Sequence, residues 1–402
     1  MLTDFCKPML GGIEQHVFSL SKKLVENGHQ VIIGTVKQEK MVPVKKYDGI
    51  IIYRLDSLFQ KAPLIYPNPE RKYHPPFQDI LLTRELDRLV KNFQPDIIHC
   101  HGWIAFSYLP LKSKFGMPVV STLHHYGFVC PKQDMFFKNE SVCKHPLSLA
   151  CYNCSAKIYG VFRSAFMVNL VKISKGHLSK IDKFIAVSNF VKNVHVTYLG
   201  LPDSKIFVIP NFYEPENEKE SNSENLPSDF ILYVGQLSPH KGVDLLLAAY
   251  KSSGTNLPLV MLGSKHYAHD YTRFHDGNRI IVKENASRSL VLNALKTCRF
   301  VVAPSIWPEP CPSTIFEAMS FGKAVIAGVS GGIPEIVNHG KTGYLLDPRN
   351  IHKFSEYIKL LVNNPRLSEE MGKKGEMRFL KHFNAEKVVR DIESLYDSAL
   401  KD

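Results

Sequence analysis

The sequence predicts an α/β protein of two domains, each built on a doubly wound, Rossmann-like parallel sheet. Three observations predict it. Short β-branched runs alternate with amphipathic helical segments in the first half, and the second half repeats the alternation. Strands that are apolar on both faces are typical of parallel sheets covered by helices. At 402 residues the chain is too long for one hydrophobic core and fits two domains.

The predicted strands are short and recur along the chain. In the first domain they are Gln30–Val36, Asp96–His99, Pro118–Leu123, Phe184–Val187 and Ile206–Ile209. In the second domain they are Phe230–Val234, Leu257–Leu262, Arg279–Val282, Phe300–Ala303 and Ala324–Ala327. A further strand should precede the glycines at 11 and 12, but only Met1–Phe5 are available for it. We therefore expect that first strand to be clipped.

A polar segment marks the domain boundary. Residues 213–228 carry charged and small polar side chains with almost nothing to bury, which is typical of a linker. We therefore expect an N-terminal domain over residues 1–212, a C-terminal domain over 229–383 and a last helix within 384–402. Asn384 is well placed to N-cap that helix.

The positive charge is concentrated in one segment. The formal net charge is +12, and residues 101–200 hold twelve Lys or Arg against three Asp or Glu. No nucleic-acid-binding motif accompanies this segment, so an anionic membrane surface or an anionic, lipid-linked substrate is the preferred partner and nucleic acid is not expected. Within the segment, Lys157–Lys175 mixes basic, aromatic and aliphatic residues. The pattern fits a helix lying on a membrane surface and also an ordinary helix facing the core.

We expect a cytoplasmic protein, which a peripheral contact could hold at the inner face of the cell membrane. The chain opens with Met1–Asp4 and has no basic and apolar leader, and no apolar run reaches the roughly 18 residues of a membrane span.

Four of the eight cysteines fall within an insert at residues 130–154. Cys151 and Cys154 have the two-residue spacing of zinc ribbons, while Cys130 and Cys143 are spaced more loosely. In a reducing cytosol clustered thiols favour Zn over disulfides, so a structural Zn site is one hypothesis. Disulfides, an iron–sulfur centre and unligated thiols are the alternatives.

The segment Ser305–Gly322 leads from an apolar strand into a helix and carries two carboxylates. Glu309 is predicted in the loop before the helix, and Glu317 about one and a half turns inside it. Both can face one crevice, where the N-terminus of the helix offers free N–H groups to an anion. This arrangement suits a polar ligand that carries phosphate.

Together with the Gly-Gly-Ile-Pro-Glu run at 331–335, this segment resembles the donor-site signature of glycosyltransferase family 4. The resemblance covers nearly the whole chain. It implies the GT-B architecture, in which two Rossmann-like domains enclose an interdomain cleft and a C-terminal helix crosses back to the first domain.

The resemblance also implies roles for the residues of this segment. Glu309 corresponds to the residue that hydrogen-bonds the donor sugar, and Glu317 to the one that holds the ribose hydroxyls. The N–H groups of Ser313 and Thr314 would bind sugar or phosphate oxygens.

A lysine follows the first predicted strand of the second domain. Ligands bind at the carboxyl ends of strands in open α/β sheets, so Lys241 would neutralise charge on a departing diphosphate. The family usually has an arginine where this chain has Gln236. Lys241 therefore acts alone there or with help from Arg299, His240 or Lys265.

In the first domain the resemblance points to a glycine loop and a histidine. Gly11 and Gly12 resemble the loop that touches the donor diphosphate, and His124 matches the active-site histidine beside the transferred sugar. Nearby, His99 and His101 fit the lining of a crevice better than a metal site.

The resemblance implies a retaining hexosyltransferase that uses a nucleoside diphosphate sugar and needs no cofactor for transfer. Its acceptor would be a glycan or lipid-linked hydroxyl in cell-surface polysaccharide or glycolipid assembly. Alternatives are a GT-B phosphorylase, a sugar-nucleotide epimerase or a catalytically silent nucleotide-sugar-binding protein. The base-reading loop, placed near Ile281–Glu284, leaves UDP, GDP and other carriers open.

Overall fold

A computed structural model describes residues 1–8, 11–39, 41–61, 72–214, 226–265 and 269–401. The chain divides into two compact units. The first unit comprises residues 1–211 and 385–402, and the second unit comprises residues 212–384. Most of the predicted linker, residues 215–225, lies outside the described part of the chain.

The first unit contains an eight-stranded sheet with the order β10-β9-β6-β5-β1-β2-β4-β3. Every pair in it is parallel except β3 with β4, and β7 pairs separately with β8. The first strand has two residues and lies between β5 and β2. The strands are β1 Leu2–Thr3, β2 Ile32–Val36, β3 Val44–Tyr47, β4 Ile50–Leu55, β5 Ile98–His101, β6 Val119–Leu123, β7 Phe136–Phe137, β8 Ser141–Val142, β9 Lys183–Ala186 and β10 Ile206–Val208.

A hairpin that the sequence analysis did not predict closes one edge of this sheet. Strands β3 and β4 are joined through Asp48 and Gly49, both at positive φ, which is the backbone that a tight two-residue hairpin turn requires. Lys45 and Lys46 lie on the exposed edge strand, where charge opposes pairing with another chain.

Within the described part of the first unit, seven α-helices precede the return segment. Asp79 and Ser188 cap two of them, since their side chains accept from backbone N–H groups of the first turn. The predicted helix over Lys157–Lys175 is in fact two helices, because Gly160 at φ +77° ends the first one. The helices are α1 Gly12–Glu26, α2 Ile80–Phe93, α3 Ala105–Tyr108, α4 Lys112–Phe115, α5 Ala150–Tyr159, α6 Val161–Ser174 and α7 Asn189–Leu199.

The second unit contains a fully parallel six-stranded sheet with the order β13-β12-β11-β14-β15-β16. The predicted fold class is therefore confirmed in both units. The strands are β11 Ile231–Val234, β12 Leu259–Gly263, β13 Ile280–Glu284, β14 Phe300–Ala303, β15 Ala324–Gly328 and β16 Gly343–Leu346. The helices are α8 Val243–Ser253, α9 Arg288–Thr297, α10 Ser313–Ser320, α11 Ile333–Ile336, α12 Ile351–Asn363 and α13 Pro365–His382.

The strands of the second unit are apolar because their side chains form its hydrophobic core. Alternate residues of the strands, such as Ile231 and Tyr233, face α8 and α12 and are almost completely buried with Tyr250 and Phe354. The strands are apolar on their other face as well, because helices cover both sides of a parallel sheet.

The last helix, α14 (Ala385–Lys401), belongs to the first unit. Its buried Tyr396 hydroxyl lies 2.6 Å from Nδ1 of His99 in β5, so the return of the chain is fixed to that sheet. Asn384 directly precedes α14, and its side-chain amide donates to the carbonyl of Leu380 near the end of α13, while its role as N-cap stays a prediction. No helix in the described ranges is long and apolar enough to cross a bilayer.

Candidate active site

The site lies at the switch point of the second unit's sheet. From β11 the chain continues to β12 and β13 on one side, whereas from β14 it continues to β15 and β16 on the other side. The loops that follow β11 and β14 therefore diverge, and they leave a crevice at the carboxyl ends of these two neighbouring strands. Lys241 and Glu309, two of the residues predicted to bind the donor, come from these two loops.

The loop after β11 ends in a single helical turn, Pro239–Lys241, directly before α8. Gly242 follows at φ +77°, and a Cβ there would lie 2.0 Å from the carbonyl oxygen of Pro304 in the loop after β14. Only glycine allows this close approach, so the position fixes the distance between the two loops. The approach places the Lys241 side chain against the loop after β14.

Glu309 accepts two hydrogen bonds in this crevice. Its Oε1 lies 2.6 Å from Nζ of Lys241 and 2.8 Å from the hydroxyl of Ser305. The Glu309 side chain is 7% exposed and the Lys241 side chain 25% exposed, so the lysine is the more accessible member of the ion pair. The ammonium also lies 5.0 Å from the ring centroid of Trp307. A bound anion would therefore meet the lysine first.

The loop after β15 holds the Glu309 segment from behind. The N–H of Gly332 donates to the carbonyl of Glu309 at 2.7 Å, and the hydroxyl of Ser330 donates to the carbonyl of Trp307 at 2.5 Å. Gly331 has φ +58°, and a Cβ there would lie 2.1 Å from the carbonyl oxygen of Glu309. The Gly-Gly-Ile-Pro-Glu run thus positions the backbone of the carboxylate.

Glu317 lies in the second turn of α10 and has a cationic partner that the sequence analysis missed. Nη1 of Arg288 donates to Oε2 of Glu317 at 2.9 Å, and Nη2 donates to the hydroxyl of Tyr213 at 3.1 Å. Arg288 begins α9, and Ser287 caps that helix just beyond β13. Ser287 and Arg288 follow the predicted strand Arg279–Val282. This position after a strand end is the sequence feature that could have indicated a role for Arg288 in the site.

The first residues of α10 are partly exposed. Ser313 and Thr314 occupy its first two positions, and their N–H groups belong to the turn that lacks intrahelical acceptors. Pro312 precedes them, where a missing N–H costs nothing. The turn can therefore offer backbone donors to an anion.

The candidate helpers of Lys241 occupy different places. Arg299 precedes β14, at the opposite edge of the sheet, and pairs with Asp229, so the expectation that it assists is wrong. Lys265 follows β12, and its Nζ lies 3.7 Å from Oε2 of Glu284, so its help to Lys241 stays a prediction. His240 contributes its backbone carbonyl to the N–H groups of residues 306 and 307.

Gln236 follows β11 after Gly235 and is partly buried. Its backbone carbonyl accepts from the hydroxyl of Tyr233 at 2.7 Å. This bond fixes the start of the loop that leads to Lys241.

His124 belongs to a buried cluster of histidines in the first unit. Its Nε2 lies 2.9 Å from Nδ1 of His101, and its ring is 5.0 Å from that of His16. His99 stacks near His101 and also contacts the hydroxyl of Thr122 at 2.7 Å. Burial lowers the pKa of His16 to about 4 and the pKa values of the other three histidines well below their usual range. The cluster is therefore neutral at pH 7.

The glycine loop also lies in the first unit. Gly11 stands at the N-cap of α1 with extended backbone, and Gly12 is the first residue of the helix. A Cβ at Gly12 would meet no atom of the described residues within 4 Å. The phosphate contact predicted there stays a prediction.

The two parallel-sheet units have the GT-B fold of glycosyltransferases. Sucrose-phosphate synthase from Thermosynechococcus elongatus superimposes with a TM-score of 0.74 at 19% identity, over 99% of this chain and 98% of that one. Anabaena HepE in complex with UDP-glucose does so with a TM-score of 0.68 at 16% identity, over 99% of both chains.

Family models identify the sequence. The model described as Glycosyltransferase Family 4 matches residues 10–217, and the one described as Glycosyl transferases group 1 matches residues 214–378. The chain therefore belongs to glycosyltransferase family 4, and it is a glycosyltransferase.

Two relatives illustrate the range of the family. An uncharacterised glycosyltransferase of Methanocaldococcus jannaschii is 26% identical over 97% of this chain and 95% of its own length. The GPI3 subunit of the phosphatidylinositol N-acetylglucosaminyltransferase of Saccharomyces cerevisiae is 24% identical over 86% of this chain and 70% of its own length.

Gly331→Ala should destabilise the second unit more than Gly340→Ala does. Both glycines have positive φ, +58° and +73°, but only at 331 would the new Cβ collide with backbone. We expect about 1–3 kcal/mol of additional destabilisation for the alanine at 331. Trp307 fluorescence in a Trp103→Phe background would follow the denaturation of this unit. Equal losses of stability in the two variants would contradict the close packing of Gly331 against the Glu309 backbone.

The histidine cluster predicts acid sensitivity of the first unit. Unfolded histidines bind protons below about pH 6.5, whereas the buried ones remain neutral, so stability is present above that pH and lost as pH falls. Each such proton steepens the slope by about 1.4 kcal/mol per pH unit. His101→Asn should therefore flatten the slope between pH 6.5 and 4.5, measured by Trp103 fluorescence in a Trp307→Phe background.

His352→Asn provides the control for this measurement, because the His352 side chain is 85% exposed. Its slope should equal that of the parent protein. A His101→Asn slope that also equals the parent's would refute the assignment of proton uptake to the buried cluster.

Proposed function

We propose that this glycosyltransferase moves a sugar, with retention of anomeric configuration, from a nucleoside diphosphate sugar to an acceptor hydroxyl. The bond between the anomeric carbon and the β-phosphate oxygen breaks, and a bond to the acceptor oxygen forms. The acceptor proton passes to the departing phosphate, and the products are the glycoside and the nucleoside diphosphate. No protein nucleophile and no cofactor enter this scheme.

The ion pair between Lys241 and Glu309 carries the proposal. Burying a charge pair costs desolvation and contributes little to stability, so its position at the switch point favours a ligand-binding purpose. The pair also supplies opposite charges to opposite parts of a sugar nucleotide. The ammonium suits the diphosphate, and the carboxylate accepts hydrogen bonds from sugar hydroxyls.

The other residues of the site would bind the remaining parts of the donor. Ser313 and Thr314 would give backbone N–H groups to phosphate or sugar oxygens as negative charge develops on the leaving group. Glu317, oriented by Arg288, would accept from the ribose hydroxyls. Catalysis then rests on positioning and electrostatics, which together supply large rate enhancements.

The nucleotide of the donor is left to experiment. Anabaena HepE binds UDP-glucose on the same fold, while an Arabidopsis starch synthase of this fold binds ADP, so the fold accommodates more than one base. Contributions of His124, Gly11 and Gly12 from the first unit stay predictions. A thermal-shift panel of UDP, GDP and ADP sugars ranks the candidates, because binding raises the melting temperature with affinity.

We further propose that the acceptor is carried on an anionic membrane surface, for which α5 and α6 supply the contact. Phe162, Leu149 and Val161 are 92%, 82% and 74% exposed, and Ile173 is 71% exposed. Residues 141–181 contain six Lys or Arg and no Asp or Glu. These exposed apolar side chains lie in a segment whose charged side chains are all cationic, and this combination complements an anionic lipid surface. The acceptor of the yeast relative, named for phosphatidylinositol, is also a lipid.

Glu309→Gln should reduce sugar transfer at least about 100-fold, because the amide cannot keep the charge that orients Lys241 and the sugar. Lys241→Ala should weaken nucleoside diphosphate binding as well as turnover. Transfer of a radiolabelled sugar and calorimetric affinity for the nucleotide measure the two effects. Glu356→Gln and Lys353→Ala, which break an exposed ion pair of 2.8 Å on α12, are the matched controls and should retain full activity.

Unchanged turnover in Glu309→Gln would sink the assignment. The same assay separates the other candidate activities. A phosphorylase would need inorganic phosphate or release a sugar phosphate, an epimerase would convert the donor without an acceptor, and a binding protein would titrate with nucleotide without turnover.

Phe162→Ser combined with Val161→Ser should lower binding to vesicles of anionic lipid at least tenfold, and high salt should weaken the parent's binding. Met377→Ser with Leu380→Ser is the control, because these residues are 62% and 57% exposed on α13 of the second unit. Co-sedimentation measures both. Equal losses in the two variants, or self-association through this face in place of lipid binding, would contradict the membrane assignment.

A further inference from the structure

Four cysteines from three separate segments meet around one small pocket in the first unit. Cys130 lies in the loop after β6, Cys143 directly follows β8, and Cys151 and Cys154 lie one turn apart on α5. All four are buried and line the same pocket. Residues separated by three positions share a helix face, so α5 presents two sulfurs to the two that come from loops. The loose spacing in sequence therefore becomes a compact set in space.

The surroundings of the sulfurs are polar in places. The backbone N–H of Lys138 donates to Sγ of Cys154 at 3.3 Å. The Cys130 thiol donates to Oδ1 of Asp134 at 3.8 Å. Burial raises the pKa of the Cys130 thiol to about 12 and also raises the pKa of Cys143 and of Cys151. The thiols are therefore protonated without a bound cation, and a metal ion would have to displace their protons.

The backbone of the insert adopts several unusual conformations. Within the described residues eight positions other than glycine have positive φ, and five of them fall between residues 133 and 147. Such conformations cost free energy at each position and persist where the surrounding structure requires them. The ammonium of Lys132 lines the same pocket and is hydrogen-bonded to the carbonyl of Phe136 at 2.7 Å. The same ammonium also lies 3.1 Å from Oδ2 of Asp134, so it already has an anionic partner.

All eight cysteines are free, so disulfides do not hold the insert together in this structure. Among the described residues no three His, Cys, Asp or Glu side chains already have the disposition of a metal centre. Side-chain rotation would have to bring the four sulfurs of the pocket wall together before they could share one ion.

We propose that Cys130, Cys143, Cys151 and Cys154 bind one structural Zn²⁺ as tetrahedral thiolates. Zn²⁺ prefers four sulfur ligands in closed structural sites, and hydrogen bonds to the sulfurs orient such ligands. The ion would fasten the β7–β8 hairpin and the preceding loop to α5. It would take no part in sugar transfer, because the site lies in the Cys-rich insert of the first unit and its four ligands leave no open position.

Metal analysis of the purified full-length chain tests the site. Mass spectrometry should find one zinc per chain in the parent protein and less than about a tenth of that in Cys151→Ser/Cys154→Ser, which loses half of the ligands. Cys6→Ser/Cys298→Ser removes two buried cysteines outside the cluster and should retain one zinc. Activity does not enter the measurement, so its result is independent of the proposed function.

Cobalt provides a second readout if the ligand variant fails to fold. Replacing zinc by Co²⁺ in the parent should give the sulfur-to-cobalt charge-transfer absorption and the intense visible bands of a tetrahedral site. Iron in stoichiometric amount, intramolecular disulfides found by mass spectrometry, or four freely titrating thiols with no metal would each overturn the proposal.

Discussion

The ion pair of Lys241 with Glu309 is the interaction around which the second unit is organised. Each partner comes from a loop at the switch point, and each loop is fixed by a glycine that no other residue could replace without a collision. Gly242 brings the lysine loop against the loop after β14, and Gly331 lets the next loop support Glu309. The sheet order determines where the crevice opens, and the glycines determine how closely the charges approach.

For Glu317 too, one element determines the position of the carboxylate and another determines its orientation. It lies on a helix, so its position follows from α10, but Arg288 from another helix determines its orientation. Two carboxylates in one region thus each have one cationic partner before any ligand arrives. A sugar nucleotide can offer its anionic diphosphate to Lys241 and its hydroxyl groups to the carboxylates, so that each buried charge keeps a hydrogen-bond partner. This exchange is the physical basis of the proposed selectivity.

Much of the fold was predictable, because strands in parallel sheets are apolar on both faces and stand out in sequence. The β3–β4 hairpin was missed since its lysine-rich edge strand lacks that pattern. Gly160 divides the helix predicted over Lys157–Lys175. At the site, Glu309 and Lys241 were found through a motif and a strand end, whereas Arg288 was missed because its pairing with Glu317 joins segments 29 residues apart. Arg299 was misjudged because it precedes its strand.

The most direct test is a crystal structure of the protein with a non-hydrolysable nucleoside diphosphate sugar. The account predicts that Nζ of Lys241 contacts the diphosphate, that Glu309 accepts from a sugar hydroxyl and that Glu317 accepts from the ribose. A nucleotide bound elsewhere, with the Lys241–Glu309 pair undisturbed at its 2.6 Å separation, would contradict it.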